Sequence, residues 1–255
     1  MDVDEAVEAV WAGFERNVRP AEVVRGQLDL EQAYAVQARI MQRQIDRGES
    51  IVGWKIGGNS NAARGLFGTL EPFSGFLLES GRYRSGSRFE LSSLPGSAVL
   101  ECELAFTFRT GLAGGDITRA DVEAAIDTVA PALEIAAIGR VPGLDLAQII
   151  SDNVSQWGYV LGEAIAFSPG LDPGEVEVTA RRNGTVAEHG LSRDVIDNQI
   201  DSIVWLVRNL AGRGLAIEPD HLVMSGSCLR PASVGNDEHW IADFSGIGQV
   251  EATFV

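Results

Sequence analysis

The chain has 255 residues, 45% of them hydrophobic and 7% aromatic, enough for one large domain whose core needs no disulfide or metal staple. Its formal net charge of −16 excludes nucleic acid as a natural partner, because a phosphate backbone would be repelled rather than neutralised. No stretch approaches the roughly 20 consecutive apolar residues that span a bilayer, and Met1-Asp2-Val3-Asp4-Glu5 lacks the basic, apolar start of a signal peptide, so a cytoplasmic protein without membrane contact is expected.

Residues 1–50 read as a helical N-terminal portion packed on the rest. Ala6, Val7, Val10, Trp11 and Phe14 recur at helical spacing, Ala33, Val36, Gln37, Ile40 and Met41 do so again, and Val18-Arg19-Pro20 punctuates the two. After Gly48 the texture changes, and Ile51-Val52-Gly53-Trp54-Lys55-Ile56 predicts a strand that enters the glycine-rich loop Gly57-Gly58. Residues 51–255 are expected to form one mixed β domain. Within it, Thr118 caps a predicted helix with Val122, Ala125, Ile126 and Val129 on one stripe, ended by Pro131, and Glu134 starts a new strand. Residues 156–165 and 175–182 read as strands, with Asn183-Gly184 turning the second into Thr185-Val186-Ala187. Residues 196–210 follow a helical period through Ile200, Ile203, Val204, Val207 and Leu210, and the last forty residues are strand-like. The simplest architecture is α+β, with a closed or strongly rolled sheet behind a helical start.

The most informative local pattern is Val99-Leu100-Glu101-Cys102-Glu103-Leu104-Ala105-Phe106. Side chains alternate along a strand, so Glu101 and Glu103 share one face while Leu100, Cys102, Leu104 and Phe106 share the other. Two carboxylates held together need a cation, a shared proton or open water. A hard divalent ion such as Mg²⁺ fits oxygen ligands and keeps positions for substrate, whereas a wet polar face is the plainer alternative. Glu134 adds a third isolated acid in Pro131-Ala132-Leu133-Glu134-Ile135. Lys55 stands alone in an apolar strand, either reaching water at an edge or neutralising a bound acid. Asp152-Asn153-Val154-Ser155 suits turn capping or a substrate loop equally. Cys102 and Cys228 read as reduced packing residues, and His189, His221 and His239 share no metal-ligand spacing. No dinucleotide or Walker phosphate fingerprint occurs.

Taken in order, Glu31 to Gln37, Gly53-Trp54-Lys55-Ile56-Gly57 with Ser60, Pro72-Phe73-Ser74-Gly75-Phe76-Leu77, the Glu101–Phe106 run, Pro131 to Ile135, Asp152-Asn153 with Ser155, and Gly248-Gln249-Val250 with Phe254 resemble the 2-keto-4-pentenoate hydratases and 4-oxalocrotonate decarboxylases. The resemblance covers nearly the whole chain. It implies the fumarylacetoacetase C-terminal-like mixed β-roll with flanking helices, a Mg²⁺ or Mn²⁺ cofactor and a homo-oligomer acting on a small-molecule 2-oxo acid. It maps metal ligands onto Glu101, Glu103 and Glu134, catalytic roles onto Lys55 and Ser155, and substrate contacts onto Ser60, Phe73, Ser74, Leu104 and Asp152. The shared chemistry it implies is a metal-stabilised enolate of a 2-hydroxydienoic acid, with the Lys55 pKa lowered by its apolar strand.

Two positions depart from the family pattern. Hydratases of this kind carry Pro-Asp before an aromatic residue and glycine, where this chain has Phe73 and Ser74; the decarboxylases also lack that aspartate. After Glu134 the usual Asp-Ser-Arg has become Ala137-Ile138-Gly139-Arg140. The expectation is a metal-dependent lyase of the hydratase or decarboxylase type. Decarboxylation or tautomerisation in place of hydration, carbon–carbon hydrolysis, and a non-catalytic assembly subunit are the alternatives.

Overall fold

The computed structural model describes residues 1–19, 21–138, 145–168 and 170–255. Pro20, Gly139 and Arg140, singled out in the sequence, lie outside the described residues. Helix α1 (Val3–Arg16) starts at Asp2, whose carboxylate accepts from the Glu5 N–H while the Glu5 side chain accepts from the Asp2 N–H. Helix α2 (Leu30–Asp46) opens on the same reciprocal pairing between Asp29 and Gln32. The stripes expected from helical spacing are buried, with Ala6, Val7, Val10 and Trp11 on α1 and Ala33, Val36, Gln37 and Ile40 on α2. Outside them Arg39 and Arg43 of α2, and Arg47 just past its end, pair with Asp4, Glu8 and Glu15 of α1, and the last two guanidinium groups lie over the Trp11 ring.

The strands follow as β1 (Ile51–Gly57), β2 (Phe73–Leu78), β3 (Arg82–Arg84), β4 (Ser87–Phe89), β5 (Ser97–Phe108), β6 (Ile126–Ile138) and β7 (Gln156–Leu161). Then come β8 (Ile165–Ala166), β9 (Glu177–Arg182), β10 (Thr185–Leu191), β11 (Leu222–Ser227), β12 (Ala232–Ser233), β13 (Glu238–Phe244) and β14 (Gly248–Phe254). Among the described residues four further helices interrupt them: α3 (Asn61–Phe67), α4 (Arg119–Ala125), α5 (Leu146–Ser151) and α6 (Gln199–Ala211). The larger sheet runs β2-β1-β11-β5-β6-β7-β3, with β12 beside β5 and β8 beside β6; the smaller runs β10-β9-β13-β14-β4. The hairpin at Asn183-Gly184 forms as expected, both residues having positive φ.

The larger sheet curls until its flanks meet: the Tyr159 hydroxyl on β7 donates to the Leu78 carbonyl at the end of β2, 3.2 Å away. Alternation then gives the roll two unlike faces. Leu100, Leu104, Phe106, Leu133, Ile135, Trp54 and Ile56 point outward into the main core, together with α1, α2 and α6. The inner face carries a small apolar cluster of Leu77, Ala105, Ala132, Tyr159, Leu222 and Met224.

Two expectations fail in an instructive way. The helix capped by Thr118 stops at Ala125, and Ile126 to Val129 already belong to β6, which continues through Pro131 to Ile138. Ile126, Thr128 and Val129 are β-branched and pair with β5, and this ladder outweighs the helical stripe. Pro131 is tolerated because it falls where β6 changes neighbour, from β8 at Val129 to β7 at Ala132, so its missing N–H interrupts no continuous ladder on that side. The strand expected over residues 156–165 is two strands, β7 and β8, separated by Gly162. A Cβ on Gly162 would lie 2.5 Å from the Gln249 carbonyl oxygen and 2.6 Å from Pro131, so only glycine fits this crossing.

Candidate metal centre and active site

Strand register brings the acids together. In the β5–β6 pair Glu101 lies directly opposite Glu134, and Glu103 opposite Ala132, so all three carboxylates share the inner face. One oxygen from each of Glu101, Glu103 and Glu134 lies within 4.8 Å of the others. Glu103 and Glu134 are fully buried and Glu101 is half-buried.

Lys55 enters the same space from β1. The parallel β1–β11 pairing sets Lys55 beside Met224, and Met224 beside Ala105, which keeps it on the inner face. Its ammonium pairs with Glu134 Oε1 and donates to the Val154 carbonyl at 3.3 Å. Gly75 stands opposite Lys55 on β2, where a Cβ would press to 2.8 Å from Asn153 Oδ1 and 3.3 Å from Lys55 Cγ. A glycine there makes room for the lysine.

The electrostatics follow from burial. Desolvation, then the neighbouring Glu134 charge, push the Glu101 carboxyl up to about 7 against the pull of Lys55. Glu103 is raised for the same reasons, burial first and then Glu134 and Glu101, while Lys55 and a 2.8 Å hydrogen bond from the Gly226 N–H oppose the rise. For Lys55 the structure corrects the sequence expectation. Burial alone draws its pKa down, but Glu134, Glu101 and Glu103 together hold it above the ordinary lysine value. Among the described residues, Glu103 Oε1 and Glu134 Oε2 are buried without a hydrogen-bond donor. Three converging carboxylates with two orphaned oxygens make a hard-oxygen donor set that a divalent cation completes.

The loop after α5 supplies the remaining wall. Asn153, Val154 and Ser155 all have positive φ, at 56°, 55° and 54°. Each non-glycine residue in this region costs about 1–2 kcal/mol, and a β-branched one such as Val154 is rare there. The turn is held from two sides. Asn153 donates to the Phe76 carbonyl at 2.9 Å and accepts from the Phe76 N–H at 2.8 Å. Arg19, 7% exposed, donates to Asp152 Oδ1 at 2.9 Å, to the Asp152 carbonyl at 2.6 Å and to the Gln156 carbonyl at 3.0 Å.

The other residues mapped by the resemblance fall in distinct places. Phe73 is buried against Gly57 and Gly58, where added Cβ atoms would lie 2.5 and 2.4 Å from its ring, and it meets Phe67 edge-on. Ser155 follows the carbonyl that accepts from Lys55. The Ser60 hydroxyl caps α3 by accepting from the Ala63 N–H at 3.0 Å. Ser74 is turned to the opposite face, its hydroxyl against Asn209 and Arg213 at 3.0 and 2.8 Å. The Leu104 side chain is in the main core. Asp152 spends one oxygen on Arg19, and burial keeps its carboxyl above the usual aspartate range despite that partner.

Arg19, Asn153 and Gly226 were not marked as site residues by sequence. Arg19 lay in a tripeptide read as punctuation, and Asn153 in a cluster read as turn or loop. The signal for Gly226 was a glycine inside a strand, which marks a bulge or a close approach.

No family model matches the chain. It is 30% identical over 225 residues to the 4-oxalocrotonate decarboxylase of Pseudomonas putida, covering 88% of this chain and 84% of that one. It is 29% identical over 237 residues to the 2-oxo-hept-4-ene-1,7-dioate hydratase of Escherichia coli, covering 90% and 88%. The structure of 4-oxalocrotonate decarboxylase from Pseudomonas putida G7, complexed with magnesium and adipate, superposes with a TM-score of 0.93 at 26% identity, over 99% of this chain and 97% of that one. The rolled sheet, the converging acids and these likenesses together establish that the chain belongs to the family of 2-keto-4-pentenoate hydratases and 4-oxalocrotonate decarboxylases, lyases whose fold it shares with fumarylacetoacetate hydrolase family proteins.

Proposed function

We propose that Glu101, Glu103 and Glu134 hold one divalent cation, Mg²⁺ or Mn²⁺, and that Lys55 and Ser155 meet the carboxylate end of a small 2-oxo acid. The observation that carries this reading is the pair of donorless oxygens on Glu103 and Glu134, buried beside a third acid. The enzyme is a divalent-metal-dependent lyase of the hydratase/decarboxylase type. When bound, the cation supplies a Lewis acid that polarises the 2-oxo group of the substrate.

The side chains divide the remaining work. Lys55 offers a buried positive charge to a substrate carboxylate, and the Val154 carbonyl keeps its ammonium oriented. With a dication offsetting two of the three carboxylate charges, less of the pull that raises Lys55 would remain against burial, and its proton would become easier to pass to substrate carbon or oxygen. Phe73 bears on the choice of reaction. It brings an apolar ring where the resemblance puts an aspartate in the hydratases, and it cannot take a proton from water; the matches to a hydratase and to a decarboxylase keep both reactions for the test below.

A homo-oligomer belongs to the same reading, and the exposed apolar side chains of Val18, Val23, Leu66 and Leu70 are available to such a contact. The two buried, unpaired cysteines fit a reducing cytoplasm. No helix among the described residues is long and apolar enough to cross a membrane. The test is incubation with Mg²⁺ and a panel of 2-oxo-enoic acids, following ultraviolet absorbance and carbon dioxide release together. Carbon dioxide without water addition assigns decarboxylation, water addition alone assigns hydration, and neither, across the panel, sinks the reading.

A further inference from the structure

We infer that Arg19 is a positioning residue for the active site, clamping both ends of the left-handed turn 153–155 and so fixing where the Val154 carbonyl and Ser155 stand relative to Lys55. This rests on the reading of Lys55 and Ser155 as substrate-facing groups. The guanidinium reaches the carboxylate and carbonyl of Asp152 on one side of the turn and the carbonyl of Gln156 on the other. Asp152 and Gln156 are the residues that bracket the three positive-φ positions. A backbone held in this rare conformation relaxes unless its surroundings over-determine it. Asn153 fixes the first residue of the turn to β2, but Val154 and Ser155 make no comparable side-chain hydrogen bond among those the structure shows. Asp152 is tied to α5 through its N–H to the Gln148 carbonyl and Gln156 pairs with Ala136 on β6, and Arg19 is the side chain that ties these two ends to each other.

Its own seat comes from the N-terminal helices. The Arg19 guanidinium lies over the Phe14 ring, 3.9 Å from the centroid, and Phe14 belongs to α1. Helix α1 thus acts on the catalytic wall through one side chain. Lysine cannot replace it, since a single ammonium does not present the planar fork that serves three acceptors at once. Nor is the arrangement only a buried ion pair, because two of the three bonds end on backbone carbonyls rather than on the Asp152 carboxylate.

Calorimetric titration separates positioning from general support. Mn²⁺ is titrated first, then oxalate into the Mn²⁺-loaded protein as an unreactive mimic of a 2-oxo acid. The proteins are the wild type, Arg19→Lys, the double variant Arg19→Met/Asp152→Asn, and Lys55→Met. The double variant removes both charges, so no unpaired carboxylate is left in the interior to unfold the chain. Both Arg19 variants should stay folded, with a lowered thermal midpoint, and keep wild-type Mn²⁺ affinity while oxalate binding weakens by about 10- to 100-fold, the scale for losing a group that orients a binding residue. Faster amide hydrogen exchange confined to residues 153–156 should accompany it. Wild-type oxalate affinity in both Arg19 variants, or a fall of Mn²⁺ affinity as large as that of oxalate, overturns the inference. If Arg19→Lys alone folds, its oxalate affinity decides. Lys55→Met distinguishes the two levels: wild-type oxalate binding in that variant sinks the active-site reading itself, whereas weak binding there beside intact Arg19 variants sinks only the clamp.

Discussion

Lys55 and Glu134 form an ion pair although their strands, β1 and β6, are separated in the sheet by β11 and β5. In a flat sheet two intervening strands would hold them about 14 Å apart. Curling shortens this across the inner face, so the pair is a direct consequence of the roll. Removing one partner of a buried pair leaves the other charge uncompensated, a loss of about 3–5 kcal/mol. We expect Lys55→Met to be destabilised by this order in metal-free buffer, with Mg²⁺ restoring most of the loss, and its turnover to fall by about 10²-fold or more. Chemical denaturation with and without Mg²⁺ checks the first outcome and steady-state kinetics the second.

Glu103→Ala should fold and lose Mn²⁺. Its carboxylate is one of three acids and is held in place by the Gly226 N–H, so no other side chain substitutes for it. Electron paramagnetic resonance of free Mn²⁺ gives the affinity, and circular dichroism the fold. Unchanged Mn²⁺ affinity would remove the metal centre from this site, and unchanged pathway activity in a metal-free variant would favour an assembly subunit.

The acid cluster makes metal-free stability depend on pH in a defined direction. The Glu101 carboxyl is raised from an ordinary glutamate value to about 7, and Glu103 is raised as well. A raised acid binds its proton more tightly in the folded chain, so its contribution is full below the unfolded pKa of about 4.3 and is lost as pH rises through about 7. Melting in EDTA should therefore show a midpoint falling between pH 5 and pH 8. The increment in midpoint given by Mg²⁺ should grow over the same interval, because ligation needs the deprotonated acids. A metal-free midpoint that rises steadily across that window contradicts the burial of these groups.

Much of this centre was legible before any coordinates. The i, i+2 spacing of Glu101 and Glu103 in an apolar run fixes a shared face by geometry alone, and Glu134 announces itself as a lone charge among apolar neighbours. The outer faces of β5 and β6 were equally readable, since Leu100, Leu104 and Phe106 alternate with the acids. What could not be read was long-range. The sign of the Lys55 shift depends on three carboxylates from other strands, and local apolarity pointed the wrong way. Arg19 meets Asp152 across 133 positions, which no local period reveals. The Ile126–Val129 stretch fits both a helical stripe and a β-branched strand, and only pairing with β5 decides between them.

Gly226→Ala tests the support behind one ligand. Gly226 has φ of 99°, and a Cβ there would lie 2.4 Å from the Asn59 amide nitrogen. That nitrogen donates to the Ser225 carbonyl at 2.6 Å, the other end of the peptide whose N–H holds Glu103. The substitution should cost about 1–2 kcal/mol from the backbone alone and weaken Mn²⁺ binding by about tenfold through the displaced Glu103. Thermal denaturation and Mn²⁺ titration measure the two effects separately. A stability loss with no change in affinity would show that Glu103 does not depend on this peptide.

Because Glu101, Glu103 and Glu134 come from a single antiparallel pair, their convergence is a property of how β5 is aligned with β6. Sliding one strand past the other by a single residue turns its whole set of side chains over, leaving two acids or one where there should be three. With these acids as the proposed ligands, capture of a divalent ion is an inspection of alignment: a newly made molecule that has zipped these strands out of step would not load, and only the correctly threaded chain would be locked in by its cofactor.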